Sequence, residues 1–144
     1  MDSLFRFELF LSIEAELRSF DEVYFFNTNM QFLDTVGEEI IAPETGNRLV
    51  GVLHPADGIR HLPPCFFFYE RNKKSAAYIA PWEKNYHYYM GVIIGGHVPQ
   101  FLDMTRILAS DIRKDYKLGI IAKFHDESHL NKYFQITPGK LRTI

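Results

Sequence analysis

The sequence predicts a single α/β domain, and three features carry that expectation. An amphipathic helical pattern opens the chain, with Leu4, Phe7, Leu11 and Ala15 on one stripe, Phe10 and Leu17 widening it, and Glu8, Glu14 and Glu16 off it. An unbroken apolar run, "EVYFF", follows and ends abruptly in the small polar triplet Asn27, Thr28, Asn29. A second helical pattern, from about Pro99 to Leu118, leads into another β-rich run, "GIIAKF". Helices alternating with short apolar runs, without repeats or low-complexity segments, fit a compact α/β arrangement.

Each element has a local reason. Asp2 or Ser3 can cap the first helix. The run from Glu22 to Phe26 lacks polar alternation, which suits a strand buried on both faces, as in a parallel sheet. Ligands of such sheets bind just beyond the carboxyl ends of the strands, so "NTN" stands where a site belongs. A polar turn, "APETGNR" (Ala42 to Arg48), precedes a short strand, "LVGVLH"; the long loop "PADGIRHLPPC" then leads to a further strand candidate, Phe66 to Tyr69. The segment "YHYYMGVIIGG", Tyr86 to Gly96, is rich in β-formers and closes on a glycine pair that fits a tight turn better than a close approach to a ligand. The second helix has Leu102, Ile107 or Leu108, and Ile112 as its core stripe. Lys114 and Lys117 complement its final turn and Gly119 ends it.

Composition excludes several classes of protein. With 144 residues, 47% hydrophobic and 15% aromatic, the chain has core material for one domain. A net charge of −2 leaves no footprint for nucleic acid, and the one basic cluster, "RNKK" at Arg71 to Lys74, reads as a solvated loop. The single cysteine, Cys65, rules out an internal disulfide and fits a reducing compartment. Apolar runs such as "CFFF" and "MGVII" are too short to cross a membrane. The N-terminus lacks the basic flank of a signal peptide, and Arg6 and Glu8 interrupt its apolar run.

The densest chemistry lies in "FHDESHLNKYF", Phe124 to Phe134. His125 and His129, four apart, would share a helix face as zinc-binding imidazoles do, but Asp126 and Ser128 occupy the places where a zinc protease carries its glutamate. Glu127 lies midway, on another face. A half-buried imidazole bonded to the backbone is the commoner role for each histidine. Adjacent Asp126 and Glu127 in so aromatic a segment require partners or a task.

Taken in order, "NTN", "LHP", "YERN" with "SAAYI", "YYMGVIIGG" and "HDESHLNKYF" resemble glycosyltransferase family 6, the family of the histo-blood-group A and B transferases and the α-1,3-galactosyltransferases. The likeness runs from about Arg6 to Tyr133. It implies a GT-A-type, Rossmann-like fold, with residues 1–144 forming one partial catalytic domain. It also implies a UDP-sugar donor and a retaining transfer that yields an α-linked product.

The resemblance assigns roles residue by residue. Arg6 matches a donor-contacting arginine, and a guanidinium suits diphosphate oxygens. Asn27 and Asn29 occupy the place of the D-x-D motif that holds manganese in animal members. Neutral amides are poor ligands for a hard cation, and bacterial members share N-x-N, so no metal and no other cofactor is expected. Glu127 matches the glutamate beneath the anomeric carbon, a nucleophile or a stabiliser of an oxocarbenium-like state, and it also faces the acceptor. Asp126 matches an aspartate that binds donor-sugar hydroxyls, and His54 a histidine that contacts the acceptor. Met90 and Val92 match the donor-selecting positions. Valine there crowds an N-acetyl group, which favours UDP-galactose over UDP-N-acetylgalactosamine.

The implied acceptor is a β-galactoside on an oligosaccharide or glycolipid. The expected setting is bacterial or phage-like, cytoplasmic or peripheral to a membrane, and Golgi-bound only with an additional N-terminal anchor. Three departures from the family pattern stand out. "HPADG" replaces H-P-G-F-Y, and Phe68 replaces an acceptor-contacting threonine. Relative to the family, the uridine-binding strands before Arg6 and a C-terminal donor-closing segment lie outside the sequence. A catalytically inactive, sugar- or nucleotide-binding relative is therefore the competing reading, and a zinc hydrolase built on His125 and His129 a remote third.

Overall fold

A computed structural model of the chain describes residues 3–38, 40–42, 48–55, 68–83, 87–137 and 141–143. A 3-10 turn, Ser3–Phe5, leads into α1 (Arg6–Ser12) and α2 (Glu14–Leu17); then come β1 (Glu22–Phe26), β2 (Leu49–Leu53), β3 (Tyr89–His97), α3 (Val98–Lys117), α4 (His125–Ile136) and β4 (Leu141–Thr143). The four strands form one sheet in the order β1-β3-β2-β4.

The expected parallel sheet is corrected. β3 pairs antiparallel with both β1 and β2, and among the described residues only β2 and β4 run parallel. β1 lies at the edge of this sheet, and all five of its residues are half-buried rather than enclosed on both faces. The first helix is also shorter than its stripe implied. It breaks at Ile13, so Phe7 and Phe10 carry its buried face while Ala15 is exposed. Phe5 is the N-cap of α1 and makes no side-chain cap; Ser3 begins the 3-10 turn, and Asp2 lies outside the described residues.

"GIIAKF" is not a strand, and the N–H groups at both ends of the run are committed elsewhere. Gly119 N–H bonds to the Tyr116 carbonyl (3.0 Å) and Ile120 N–H to that of Asp115 (2.9 Å), closing α3. Lys123 N–H bonds to Glu70 Oε2 (2.6 Å) and Phe124 N–H to Ser128 Oγ (3.0 Å). Bonds at both ends of the run thus replace those a ladder would use. Phe68 and Tyr69 are likewise not in a strand, while Phe66, Cys65 and most of the "PADGIRHLPPC" and "APETGNR" segments lie outside the described residues.

One core unites the elements. Phe7 and Phe10 from α1, Leu49 from β2, Ile94 from β3, Phe101, Met104, Leu108 and Ile112 from α3, and Leu130 and Phe134 from α4 pack together. Ile107, offered as an alternative to Leu108 in the α3 stripe, is exposed. A buried polar brace accompanies that core. Asp115 of α3 accepts hydrogen bonds from Ser75 Oγ and from Ala76 N–H (2.7 Å), tying the Ser75–Ala77 turn to α3. His129 of α4 approaches the same carboxylate at 3.5 Å. Burial is the largest influence on His129 and lowers its pKa, outweighing the opposing pull of Asp115, Asp111 and Glu70. At neutral pH the contact is therefore not an ion pair.

The glycine pair lies within β3 and does not form the tight turn expected of it. A Cβ on Gly95 would lie 2.3 Å from the Tyr24 ring and 2.5 Å from the Val23 carbonyl oxygen; one on Gly96 would lie 2.2 Å from the Arg48 carbonyl oxygen. These glycines let β1 and β2 close on β3 from either side.

Two predictions follow from this packing. Gly96→Ala, blocked by backbone at φ +133°, is expected to lose roughly 2–4 kcal/mol in urea unfolding, against about 1 kcal/mol for Gly119→Ala, which has φ +69° and open space around its Cβ. Equal losses would show that the sheet yields to the added methyl. The second prediction concerns pH. With the folded-state pKa of His129 depressed, the unfolded chain binds the extra proton once pH drops below about 6.5, so stability present above that value is lost as pH falls. The melting temperature should be lower at about pH 5.5 than at about pH 7.5, and this slope should be shallower in His129→Gln.

Candidate active site

The site begins with an irregularity in the sheet. Along β2 the partner in β3 steps from Ile94, opposite Gly51, to Met90, opposite Val52, so Gly91, Val92 and Ile93 bulge away from β2. Side chains take up the backbone groups of Gly91 there. Gly91 N–H donates to Glu127 Oε2 (2.7 Å), and the Gly91 carbonyl accepts from Arg6. The Val92 carbonyl accepts from Asn27 N–H (3.0 Å), just past the end of β1. Bulges of this kind re-aim side chains beside functional sites.

Helix α4 delivers the carboxylates. Its first residue, His125, is the only non-glycine among the described residues with positive φ (49°), a conformation that costs energy and clusters at functional sites. Glu70, itself buried, accepts from Asn72 N–H (2.6 Å) as well as from Lys123 N–H, and so fastens the turn before α4 to the "YERN" segment. Asp126 and Glu127 then point to different partners. Asp126 pairs with Arg6 Nε at 2.6 Å, both nearly enclosed with side chains 5% and 14% exposed, and the guanidinium lies 4.9 Å from the Phe25 ring centre. Glu127 accepts from Gly91 N–H on one oxygen and from Tyr88 O–H (2.7 Å) on the other. Burial first, and then the bond to Glu127, raise the pKa of Tyr88 far above the ordinary phenol value, so its hydroxyl remains a donor. Asn131, one turn further along α4, bonds to Tyr89 N–H and the Tyr89 carbonyl (2.8 Å each) and to the Glu127 carbonyl (2.9 Å).

Two clefts meet at Glu127. An open cleft of about 360 Å³ is lined by Arg6, Asn27, Gly91, Val92 and the stretch Lys123 to Glu127. A smaller pocket of about 220 Å³ is walled by His54, Phe68, Tyr88 and Phe124, with Phe124 and Glu127 common to both. Of the residues singled out in the sequence, Arg6, Asn27, Val92, Asp126 and Glu127 come together in the first cleft and His54 enters the second. Asn29 sits exposed in the turn after β1, and Met90 is half-buried opposite Val52; neither lines these clefts.

The two histidines part company. His125 lines the first cleft while His129 faces Asp115 in the interior, and no group of three metal-binding side chains forms among the described residues. Tyr88, Gly91, Asn131, Glu70 and Lys123 were not legible as site residues. A polar residue one helical turn after Glu127 was the single available signal, and it pointed to Asn131.

Comparison with known proteins completes the picture. The model of glycosyltransferase family 6 matches residues 4–142, and the chain belongs to that family. It is 41% identical to histo-blood group ABO system transferase 2 of Rattus norvegicus over 74% of this chain and 30% of the relative. Identity to the O-antigen biosynthesis glycosyltransferase WbnI of Escherichia coli is 31%, over 93% of this chain and 55% of the relative. Globoside alpha-1,3-N-acetylgalactosaminyltransferase 1 of Gallus gallus is 34% identical over 84% of this chain and 33% of its own length. The chain thus spans about a third to a half of these relatives. No helix among the described residues is long and apolar enough to cross a membrane.

Removing Asn131 tests how the site is held. Asn131→Ala strands the Tyr89 N–H and carbonyl in a buried setting, with an expected loss of roughly 2–4 kcal/mol in denaturant unfolding. A loss under about 1 kcal/mol would mean that water or another side chain replaces the amide.

Proposed function

We propose that this chain is the catalytic portion, GT-A-type in fold, of a retaining α-1,3-glycosyltransferase that moves galactose from UDP-galactose to a β-galactoside on a glycan or glycolipid acceptor. The observation that carries the reading is the position of Glu127, whose fixed carboxylate is the one charged group shared by the two clefts. The larger cleft takes the donor sugar and the aromatic-walled pocket takes the acceptor ring, with His54 at its side.

In this reading Glu127 presents negative charge to the anomeric carbon as the bond to the diphosphate oxygen breaks and its electron pair leaves with UDP. It acts there as nucleophile or as stabiliser of the oxocarbenium-like state. Retention follows when the acceptor hydroxyl enters from the face the diphosphate has left, its proton passing to the departing phosphate oxygen. Tyr88 and Gly91 keep the carboxylate from rotating, which is the pre-organisation such a step needs. Asp126, braced by Arg6, is placed to accept from donor-sugar hydroxyls. Val92, in the bulge, narrows the space for an N-acetyl group and favours galactose, although relatives that act with either sugar are similar to this chain.

The donor set does not suit a hard divalent metal. Asn27 offers a neutral amide at the cleft, Asn29 lies outside it, and Asp126 is already paired, so we propose metal-independent transfer. The competing reading is a sugar- or nucleotide-binding relative without turnover.

Transfer from UDP-galactose to lactose, with chelator present, is the deciding assay. Glu127→Gln should lower the rate by at least about a hundredfold while donor affinity changes little. Full activity in that variant would remove Glu127 from the chemistry. Donor binding without turnover in the unsubstituted chain would support the binding-module reading.

A further inference from the structure

Metal-free release of a diphosphate requires positive charge beside it, and Arg6 is poorly placed to supply that charge. Its Nε is committed to Asp126, an N–H to the Gly91 carbonyl, and its plane to Phe25, so its charge already balances a carboxylate. Lys123 has no such commitment. Its Nζ lies 5.9 Å and 5.4 Å from the ring centres of Phe68 and Phe124, and no carboxylate of the described residues lies within ion-pair distance.

Its position is nonetheless fixed. The backbone N–H of Lys123 is held by the buried Glu70, the next N–H by Ser128, and the ammonium rests over two rings that also wall the smaller pocket. Lys123 lines the same cleft as Asn27, His125 and Glu127, where the two clefts adjoin.

We propose that Lys123 is the diphosphate-binding cation of the larger cleft, its ammonium taking the charge that builds on the phosphate oxygen of a nucleoside diphosphate leaving group. The inference rests on the reading of that cleft as a donor site. Cation–π contacts suit the role: the rings steady the ammonium without neutralising it, as a carboxylate would, so its charge stays available to phosphate. The amides at Asn27 and Asn29 then need only hydrogen-bond the diphosphate.

The test is calorimetric titration of the full chain with UDP, and separately with uridine, in chelator. Unsubstituted protein is compared with Lys123→Met, which keeps the apolar stem over the rings, and with Lys123→Arg, which keeps the charge. Lys123→Met should bind UDP at least about tenfold more weakly, with uridine binding unchanged and Lys123→Arg within a few-fold of the original. Equal UDP affinity in Lys123→Met would overturn the role of Lys123 and leave the donor-site reading intact. A parallel loss of uridine binding would also overturn it, because shape rather than charge would then have been lost. If the folded, unsubstituted chain binds no UDP, the donor-site reading itself falls, and this inference with it.

Discussion

The constraint on which the site depends is the single peptide unit of Gly91. β1 ends at Phe26, opposite Ile93, so no strand among the described residues pairs with the Gly91 N–H and carbonyl, and a backbone group left unpaired inside a protein costs as much as a lost hydrogen bond. Glu127 and Arg6 meet the two demands, one from α4 and one from α1. Three elements distant in sequence are thereby locked around one residue. A Cβ at this position would sit 3.4 Å from Glu127 Cβ and Oε2, at van der Waals contact, so the carboxylate packs directly against Gly91.

This arrangement also explains how two adjacent carboxylates share one helix start. Side by side they would repel, and the first turn of α4 leaves little room for both to face the same cation. Arg6 takes Asp126, whereas Glu127 is held by neutral donors, an amide and a phenol. The two neighbours thus sit in different electrostatic settings, one against a cation and one against neutral donors.

How much of this could be read beforehand depends on the range of the interaction. The long stripe of α3 and the burial of Phe7 and Phe10 follow from helical periodicity, a local property, and both appear in the structure. "GIIAKF" looked like a strand by composition, yet Glu70, some fifty residues earlier, and the carbonyls ending α3 hold its backbone. No window along the chain contains that information. Gly95 and Gly96 were read as a tight turn for a related reason: a glycine pair does not say whether a turn or a close approach requires it, and here neighbouring strands approach. The pair Asp126 and Glu127 was conspicuous because buried acids are expensive. Tyr88 and Lys123 were not, since an aromatic and an exposed lysine are ordinary until their neighbours are known.

The framework behind the cleft has a logic of its own. Glu70, Asp115 and Asn131 are buried polar residues whose oxygens accept backbone N–H groups from other segments, so each acts as a staple between a loop and a helix or strand. Such staples are demanding because every donor and acceptor must be met, and once met they allow little movement. An apolar core fixes the distance between layers but permits small slides; directional bonds at three points do not. The cleft is lined by a turn, a bulge and a helix start, elements that would wander on packing alone. Its rigidity comes from the polar brace beneath it, and the "YERN" segment belongs to that brace although it does not itself line the cleft.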